Sequence, residues 1–453
     1  MPQMTPKLKE IAGQVRGIDL PPFVMAIIRR LRVAGHSAYI VGGAVRDVCL
    51  GRPVSDWDIT TSADPAMIKA AFADIRHFSL KHDTVTLVRE DRAYEVTTFR
   101  GGSGFGRSIE EDLRHRDFTI NAMAYEPSRK IVVDIYGGRS DIAKRLIRAV
   151  EDPEARFLED PLRLIRAARI AAELGFRIEP QALRAMTGLA GKIDTVALER
   201  VRDELTKLLM SPKPSVGFNI MRKTGLTVEV LPELLEGYRR RQNAYHRFTI
   251  YRHIMESVDR VPPDPILRLT ALFHDMAKPR VRTKLRGVWR FRGHAEAGAQ
   301  LAERIMKRLK FSDEVIRRVT HLIAHHMIDY QPEWGDGAVK RWIRRVGPDN
   351  LDLLLSFRQA DLSAHGIRDR KLEWVGDLEH RVKRLEDTSF PIDTDHLAID
   401  GHRVMEILGL LPGPGVGSAL EHLLEVVIDR PELNNEEDLV AILKEMNVRG
   451  EHG

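Results

Sequence analysis

The stretch that decides the fold of the N-terminal part of this chain is VGGAVRD at residues 41–47, followed by SDWDI at residues 55–59. The segment just before it, SAYIV at residues 37–41, predicts a strand. The two glycines form a turn, and residues 44–50 are expected to follow as a short helix. A second strand is predicted over residues 54–60. The order is therefore strand, glycine turn, helix and strand.

Two carboxylates stand at positions i and i+2 of the second predicted strand, Asp56 and Asp58. Because side chains alternate across a strand, both are expected on one face, with Trp57 on the other. Hard cations such as magnesium prefer oxygen ligands and share them with substrate phosphates. Gly42 and Gly43 let the backbone at a helix start approach a triphosphate. Each feature alone is weak, because acidic residues near a turn are usually solvated; together they indicate a metal-dependent nucleotide transferase.

The composition is that of an enzyme with several domains. A length of 453 residues corresponds to roughly three domains, and a hydrophobic content of 43% can form their cores. The single cysteine, Cys49, excludes an internal disulfide framework and a cysteine-built zinc site. Residues 1–17 lack the apolar stretch of a signal peptide, and no run approaches a membrane span. A cytoplasmic location is expected, with no membrane partner and no protein partner implied.

Positive charge is concentrated in a few clusters. The net charge is only +6, a weak sign of nucleic-acid binding. Residues 278–292 contain seven basic and no acidic residues, with Trp289 and Phe291 interleaved, and residues 340–345 and 239–241 add smaller clusters. Each cluster is either a solvated face or a surface for RNA phosphates.

The pattern changes near residue 150 from strand-like to helical. Five strands are predicted before it, over residues 37–41, 54–60, 84–89, 94–99 and 130–135, with helices between them, one of which starts at Asp64-Pro65. We therefore expect an α+β protein: an N-terminal mixed-sheet head, then an all-α neck, body and tail. The predicted bounds are 20–148 for the head, 149–215 for the neck, 216–390 for the body and 391–453 for the tail.

GGAVRD followed by DWDI resembles the head of the class II tRNA nucleotidyltransferase and bacterial poly(A) polymerase family. The resemblance implies two-metal nucleotidyl transfer, with Mg²⁺ held by Asp56 and Asp58. It also places Glu95, in the EVTTFR-like strand, in the active site; from spacing alone, Glu95 is equally a surface acid. The residues implied to bind the nucleotide are Gly42, Gly43, Arg46, Arg116, Asp117, Asn121, Asp160, Arg163, Arg166 and Arg169.

Residues 112–122, DLRHRDFTINA, resemble the family's arginine-rich motif. Arginines balance the charge of a triphosphate, and Asn121 is suited to bond the ribose. His115 stands where the family normally has another arginine, which leaves the role of His115 open.

Residues 159–163, EDPLR, match the family's motif for choosing a nucleotide without a template. We expect Asp160 and Arg163 at a helix start, three residues apart on one face, acting as a pair. A carboxylate and a guanidinium match the amine and ring nitrogen that cytosine and adenine both present, whereas uracil and guanine reverse that polarity. Residues 199–205 resemble the motif that would brace this pair. In an anonymous helix, the same pair would be an ordinary ion pair.

The connector at residues 101–107, GGSGFGR, distinguishes members of the family. In the family, a longer flexible loop at this place is credited with reshaping the pocket for ATP, and the CC-adding subgroup lacks it. The short connector therefore favours CC addition to tRNA from CTP. The alternatives are a complete CCA-adding enzyme that also uses ATP, and a poly(A) polymerase.

A second chemical site is predicted in the helical body. His253, the pair His274-Asp275 and Asp361 follow the order of an HD phosphohydrolase domain, over about residues 245–365, with His294 and His325 as further candidates. Such residues bind a divalent transition metal whose water attacks a phosphoester. An HD-type metal-dependent phosphohydrolase with an RNA-binding head is thus another alternative. The tail, with GLLPGPGVG at residues 409–417, resembles the family's C-terminal segment at the tRNA elbow, which implies contacts with both the acceptor end and the elbow.

Overall fold

A computed structural model describes residues 13–14, 19–81, 83–102, 104–243, 247–366, 373–386 and 390–449. The chain divides into two compact units, residues 1–232 and 233–453. The protein is α+β, as expected. The four domain bounds given above stay predictions. Among the described residues, no helix is long and apolar enough to cross a membrane.

The first unit contains, within its described part, one mixed sheet of eight strands in the order β1-β8-β7-β2-β3-β6-β5-β4. Neighbours are antiparallel except β3 and β6, which run parallel with Ile59 opposite Val96. This parallel pair places the start of β3 next to the middle of β6. The strands are β1 (Gly13–Gln14), β2 (Ala38–Val41), β3 (Asp58–Thr61), β4 (His77–Lys81), β5 (Thr84–Arg89), β6 (Arg92–Thr98), β7 (Ala124–Glu126) and β8 (Ile131–Val133).

Short helices flank the sheet, and longer ones follow it. Asp64 caps one of them, accepting from the amide of Met67, as the Asp-Pro signal predicted. The helices of this unit are α1 (Pro22–Val33), α2 (Gly43–Cys49), α3 (Pro65–Ala71), α4 (Ile109–Arg114), α5 (Gly138–Ala143), α6 (Pro153–Glu159), α7 (Leu162–Leu174), α8 (Pro180–Leu189), α9 (Leu198–Leu209), α10 (Pro214–Lys223) and α11 (Leu226–Val230). A small parallel pair, β9 (Leu146–Ile147) and β10 (Arg177–Ile178), lies among them.

The strand predicted over residues 54–60 is shorter than expected. It begins only at Asp58, so Asp56 precedes the strand rather than alternating within it. The reason lies in pairing: β2 reaches β3 only from Ala38 opposite Thr61 to Val41 opposite Asp58. Residues 54–57 therefore have no ladder partner. The sequence also missed β4 and β7, which are short or lie at the edge of the sheet.

Among its described residues, the second unit is helical apart from one hairpin, β11 (Thr283–Leu285) with β12 (Val288–Arg290). The tail helices pack on their own apolar core, which includes Val404, Leu423 and Leu439. The helices are α12 (Ile250–Arg260), α13 (Pro265–Phe273), α14 (His294–Arg308), α15 (Asp313–His325), α16 (Asp336–Val346), α17 (Leu351–Ser363), α18 (Glu373–Glu386), α19 (Gly401–Leu408), α20 (Pro414–Asp429) and α21 (Glu436–Arg449).

Candidate active site and a second candidate metal centre

The glycine turn between β2 and α2 lies directly against the acidic site. Gly42 has φ +74°, a backbone conformation that favours glycine. A Cβ atom on Gly42 would lie 3.3 Å from Asp58 Oδ2 and 3.2 Å from Arg116 Nη1. The absence of a side chain at Gly42 therefore keeps the approach to this carboxylate and guanidinium open.

Five carboxylates line one cavity of about 590 Å³; Asp47 and Glu173 pair there with Arg46, and the other three are Asp56, Asp58 and Glu95. Withdrawal from solvent raises the pKa of Asp58 above its ordinary value, and the charges of Glu95 and Asp56 raise it further, while Arg116 lowers it. Mutual repulsion of this kind is relieved by a cation. The three oxygen donors therefore fit magnesium, which takes the rest of its shell from water and phosphates.

Two guanidinium groups adjoin Asp58, those of Arg116 and Arg100. Arg116 is buried and forms an ion pair with Asp112, Nη2 to Oδ2, at 2.9 Å. Burial, and then the charge of Arg116, lower the pKa of Arg100. Both groups thus place positive charge where a triphosphate would meet the acids. The sequence reasoning missed Arg100, although it directly follows the strand that carries Glu95.

The arginines of α7 are tied to carboxylates on other elements. Arg166 Nε lies 2.7 Å from Asp117 Oδ2, which joins α7 to the arginine-rich motif. Asp117 is the main cause of the raised pKa of Arg166, and Asp58 and Asp160 also contribute. Arg166 therefore stands within electrostatic reach of both the acidic site and the EDPLR motif. Arg169 Nε lies 2.7 Å from Glu204 Oε2.

Two predicted nucleotide-binding side chains direct their hydrogen bonds to the protein. Arg46 is buried, donates to Asn121 Oδ1 at 3.0 Å and pairs with Asp47 and Glu173. Asn121 Nδ2 donates to Asp117 at 3.1 Å. Both side chains line the cavity, but in this structure their hydrogen bonds and ion pairs connect α2 to α7.

The cavity also includes a cation that the sequence reasoning missed, Lys207 of α9. Lys207 lies just beyond the predicted bracing motif at residues 199–205, and the packing of α9 on α7 brings it to the cavity. Only its position three residues after Glu204 of the predicted bracing motif could have pointed to it.

The structure corrects the expected geometry of Asp160 and Arg163. Asp160 is not in a helix: it ends α6 in an extended conformation, because Pro161 follows and disfavours the helical conformation of the residue before it. The two side chains form no ion pair with each other. Asp160 Oδ2 instead accepts from Arg200 Nη2 at 2.9 Å, within the predicted bracing motif.

Arg163 is held by different partners. Its Nη1 donates to Glu159 Oε2 at 2.6 Å, and its Nη2 donates to the carbonyl of His115 at 3.0 Å. The His115 ring lies 3.3 Å from Glu159 Oε1. Residue 115 thus positions Arg163 through its main chain.

In the second unit, the predicted HD residues form a buried cluster beside a cavity of about 400 Å³. The donors fall into two sets whose ligand atoms lie within 4.8 Å of one another: His253, His274 and Asp361; and Asp275, His294 and His326. His274 and Asp275 come directly after the end of α13, and these two neighbouring residues belong to different donor sets.

Some donor atoms of this cluster pair within it, since His253 Nε2 lies 2.9 Å from Asp361 Oδ1 and Lys278 Nζ lies 2.6 Å from Asp275 Oδ2, but two others are left without a partner. Asp275 Oδ1 and His294 Nε2 are buried, have no hydrogen-bond partner among the described residues, and lie 3.7 Å apart. Burial lowers the pKa of His294, and burial with the charge of His274 lowers that of His326 to about 3. Neutral imidazoles and carboxylates are the usual ligands of divalent transition metals.

One predicted ligand is wrong. His325 does not face the cluster: its Nδ1 lies 2.9 Å from the carbonyl of His321 on the same helix. The neighbouring His326 faces it instead. Successive residues of a helix point about 100° apart, and His326 is still in a helical conformation at the end of α15, so the two neighbouring imidazoles face different directions.

In the basic cluster at residues 340–345, Lys340, Arg341 and Arg344 are paired within the protein, whereas Arg345 is exposed. Arg341 and Arg344 form ion pairs with Glu425, Asp429 and Glu421 of the tail helix α20. Lys340 is buried and donates to a carbonyl of the same helix. These contacts attach α16 to the tail helix α20.

Family models match most of the chain in three segments. A poly(A) polymerase head domain matches residues 38–148, a probable RNA- and SrmB-binding site of polymerase A matches residues 175–237, and an HD domain matches residues 244–363. These segments contain the acidic site and the histidine cluster described above.

Relatives cover nearly the whole chain. An A-adding tRNA nucleotidyltransferase of Deinococcus radiodurans is 34% identical over 86% of this chain and 91% of its own length. A CCA-adding enzyme of Geobacillus thermodenitrificans is 32% identical over 94% of this chain and 97% of its own. The solved Bacillus stearothermophilus CCA-adding enzyme in complex with CTP is 28% identical, with a TM-score of 0.73 over 99% of each chain. The chain therefore belongs to the class II tRNA nucleotidyltransferase and poly(A) polymerase family and is a nucleotidyltransferase.

Proposed function

We propose that this nucleotidyltransferase adds two cytidines from CTP to the 3′ end of tRNA, in the cytoplasm, and leaves the terminal adenosine to another enzyme. The observation that carries the CC specificity is the connector between β6 and α4, residues 101–107. It is short, and it lacks the acidic and proline-rich middle of the family's longer loop.

The connector folds back on the end of β6. The amide of Gly106 donates to the carbonyl of Phe99 at 2.6 Å, and the amide of Gly101 to that of Gly104 at 3.1 Å. A Cβ atom on Gly106 would lie 2.3 Å from the carbonyl oxygen of Arg100, so the turn requires glycine there. Ser103 lies outside the described residues. The rest of the connector is four glycines, Phe105 and Arg107, so it has no acidic side chain and no proline with which to reshape a base pocket.

The proposed reaction is attack of the RNA 3′ oxygen on the α-phosphorus of CTP. The bond between that phosphorus and the bridging oxygen to the β-phosphate breaks, and pyrophosphate leaves. Asp56, Asp58 and Glu95 would hold magnesium, which activates the hydroxyl and neutralises phosphate charge when bound. Arg116 and Arg100 supply fixed positive charge for the triphosphate.

We assign base selection to Asp160 and Arg163, which are held in place by different residues. Each oxygen of Asp160 accepts one hydrogen bond in the structure, from Arg200 and from the amide of Leu162. A carboxylate has about four acceptor sites and a guanidinium five donors. Asp160 can therefore still accept from a base amine, and Arg163 can still donate to a ring nitrogen.

Adenosine addition is the main competing function. The Deinococcus radiodurans relative is named an A-adding enzyme, and the Geobacillus thermodenitrificans relative a CCA-adding enzyme. The proposed pocket reads a feature that cytosine and adenine share, so these relatives favour the competing functions as directly as the short connector favours CC addition.

One assay separates these functions. Transcripts of tRNA that lack all three terminal nucleotides, end in CC, or end in CCA are incubated with each labelled NTP, and product length is read on a gel. Growth by two cytidines with no use of ATP supports CC addition. A single adenosine on the CC transcript supports A or CCA addition, and long adenosine tails support a poly(A) polymerase.

We also propose that the HD cluster is a metal-dependent phosphohydrolase site with a divalent transition metal. The two sets of buried donors and the unpartnered atoms between them support this assignment. Hydrolytic opening of a 2′,3′-cyclic phosphate end to a phosphomonoester, in which water adds to the phosphorus and one ribose oxygen leaves as a hydroxyl, without extension of the RNA, is the measurement that tests it.

A further inference from the structure

Residues 282–292 form a two-stranded element that we call the basic hairpin. Thr283 pairs with Arg290 and Leu285 with Val288. Arg286 and Gly287 make the turn, with φ of +49° and +81°, as in the two-residue turns that suit the twist of a hairpin. The proposed activities leave this element unexplained.

The cations of the basic hairpin are not neutralised. No carboxylate pairs with any of them within the part of the chain that the structure describes, unlike Arg341 and Arg344. Burial and the nearby charge of Arg240 both lower the pKa of Arg282, so further positive charge lies close by. The five cations are Arg282, Lys284, Arg286, Arg290 and Arg292, of which all but Arg282 are exposed.

An aromatic residue stands among these charges. Trp289 is half-buried on β12, opposite Lys284. The guanidinium carbon of Arg282 lies 3.3 Å from the centre of the Trp289 ring, and Lys284 Nζ lies 5.4 Å from it. Aromatic rings and guanidinium planes next to backbone-binding cations are typical of surfaces for single-stranded nucleic acid.

The basic hairpin is continuous with the HD cavity. Arg290, Phe291 and Arg292 line that cavity, and the next helix begins with the candidate ligand His294. Arg286, at the turn, is four residues from Arg290, about 13 Å along a strand. The positive surface thus extends well beyond the reach of one bound nucleotide, which favours a polymer of phosphates.

We propose that the basic hairpin binds the backbone of single-stranded RNA and directs an RNA end into the HD cavity. The fate of that end rests on the hydrolase activity proposed above; the binding does not. Cations contact the phosphates, while Trp289 and Arg282 provide stacking surfaces for bases.

The test is fluorescence anisotropy of a labelled 12-nucleotide single-stranded RNA without tRNA sequence, on the full chain, at 50 and 200 mM salt. The double variant Lys284→Gln/Arg286→Gln lies outside the cavity wall. We expect about a tenfold loss of affinity at the lower salt and a slope of log K against log salt that is less steep by about 1.4, since each phosphate contact on a single strand contributes about 0.7.

The matched control is Arg317→Gln/Arg318→Gln, two exposed arginines on α15 that remove the same charge from the same unit. Thermal melting checks that both variants fold. Retained affinity in the control supports the inference. Unchanged affinity in the hairpin variant, an equal loss in the control, or stronger binding of a duplex of the same length overturns it.

Failure of the tRNA proposal or of the hydrolase proposal can be distinguished from failure of the hairpin inference. Wild-type protein that binds this RNA through the hairpin but incorporates no CTP refutes the tRNA proposal and supports the hairpin inference. Hydrolysis is compared on an RNA bearing a 2′,3′-cyclic phosphate end and on free 2′,3′-cyclic CMP. The hairpin variant should lose about tenfold on the RNA at limiting concentration and little on the nucleotide; equal losses on both contradict the guiding role.

Discussion

Two carboxylates, Asp56 and Glu95, and two guanidinium groups, Arg116 and Arg100, act on Asp58. Their opposing charges affect both the stability of the fold and the role of Asp58 as a metal ligand. Its raised pKa means that the fold disfavours the charged form until a cation arrives. The environment that makes a charged Asp58 unfavourable without a cation therefore also makes Asp58 a good metal ligand.

We expect Asp58→Asn to reduce CTP incorporation more than about 100-fold, because a carboxylate ligand is lost. The melting temperature should stay equal or rise, because repulsion with Asp56 and Glu95 falls. Gel-based incorporation and thermal melting measure the two effects. Asp64→Asn, at a helix cap away from the cavity, is the control. Full incorporation by the Asp58 variant would refute its catalytic role.

Arg200 is expected to position Asp160 for base selection. Arg200→Gln should lower kcat/KM for CTP about tenfold and narrow the preference for CTP over UTP, because a base-reading carboxylate loses a charged partner. Arg202→Gln on the same helix, where the arginine contacts Asp203, is the control. A role limited to folding predicts reduced stability with an unchanged CTP to UTP ratio.

At the scale of elements, α7 is fixed to the head by paired charges rather than by apolar contacts alone. Burial by itself would raise the pKa of Asp117, but Arg166, Asn121 and the amide of Phe118 lower it overall. A carboxyl group whose pKa is lower in the folded state stabilises the fold above its unfolded pKa, and this stabilisation is lost as the pH falls through the folded value.

We therefore expect Asp117→Asn to cost about 2 kcal/mol of unfolding free energy near pH 7, because Arg166 loses its partner. The difference from the wild type should shrink below about pH 4, where an ordinary aspartate becomes protonated. Urea unfolding between pH 3 and 7 measures this. A difference that stays constant across that range contradicts the charged role of Asp117.

At the scale of the whole molecule, each compact unit carries candidate metal ligands: the carboxylates Asp56, Asp58 and Glu95 in the first unit, and the HD cluster as a whole in the second. The head offers carboxylate oxygens only, whereas the HD cluster offers imidazoles as well. The two sets therefore differ in the metals that suit them: magnesium for the first, a transition metal for the second.

Purified protein is expected to retain transition metal that a strong chelator removes, with a loss of several degrees in melting temperature. Elemental analysis and thermal melting measure both. His326→Ala should lower the metal content, while His325→Ala should not. Equal metal content in wild type and the His326 variant would contradict the assignment.

The sequence by itself determined the α+β class, the glycine turn with its two acids, the helix capped at Asp64 and the order of the HD residues, because these depend on local spacing and on chemistry that few residue types supply. Tertiary structure decided the rest. Ladder pairing excluded Asp56 from β3, Pro161 kept Asp160 out of a helix, and the orientation of α15 directed His326 rather than His325 inward. Packing brought Lys207 to the cavity and paired Arg341 and Arg344 with the tail helix, while the arginines of the basic hairpin have no such partners in the described chain. Whether a charge is neutralised depends on residues distant in sequence, and that information is present only in the folded chain.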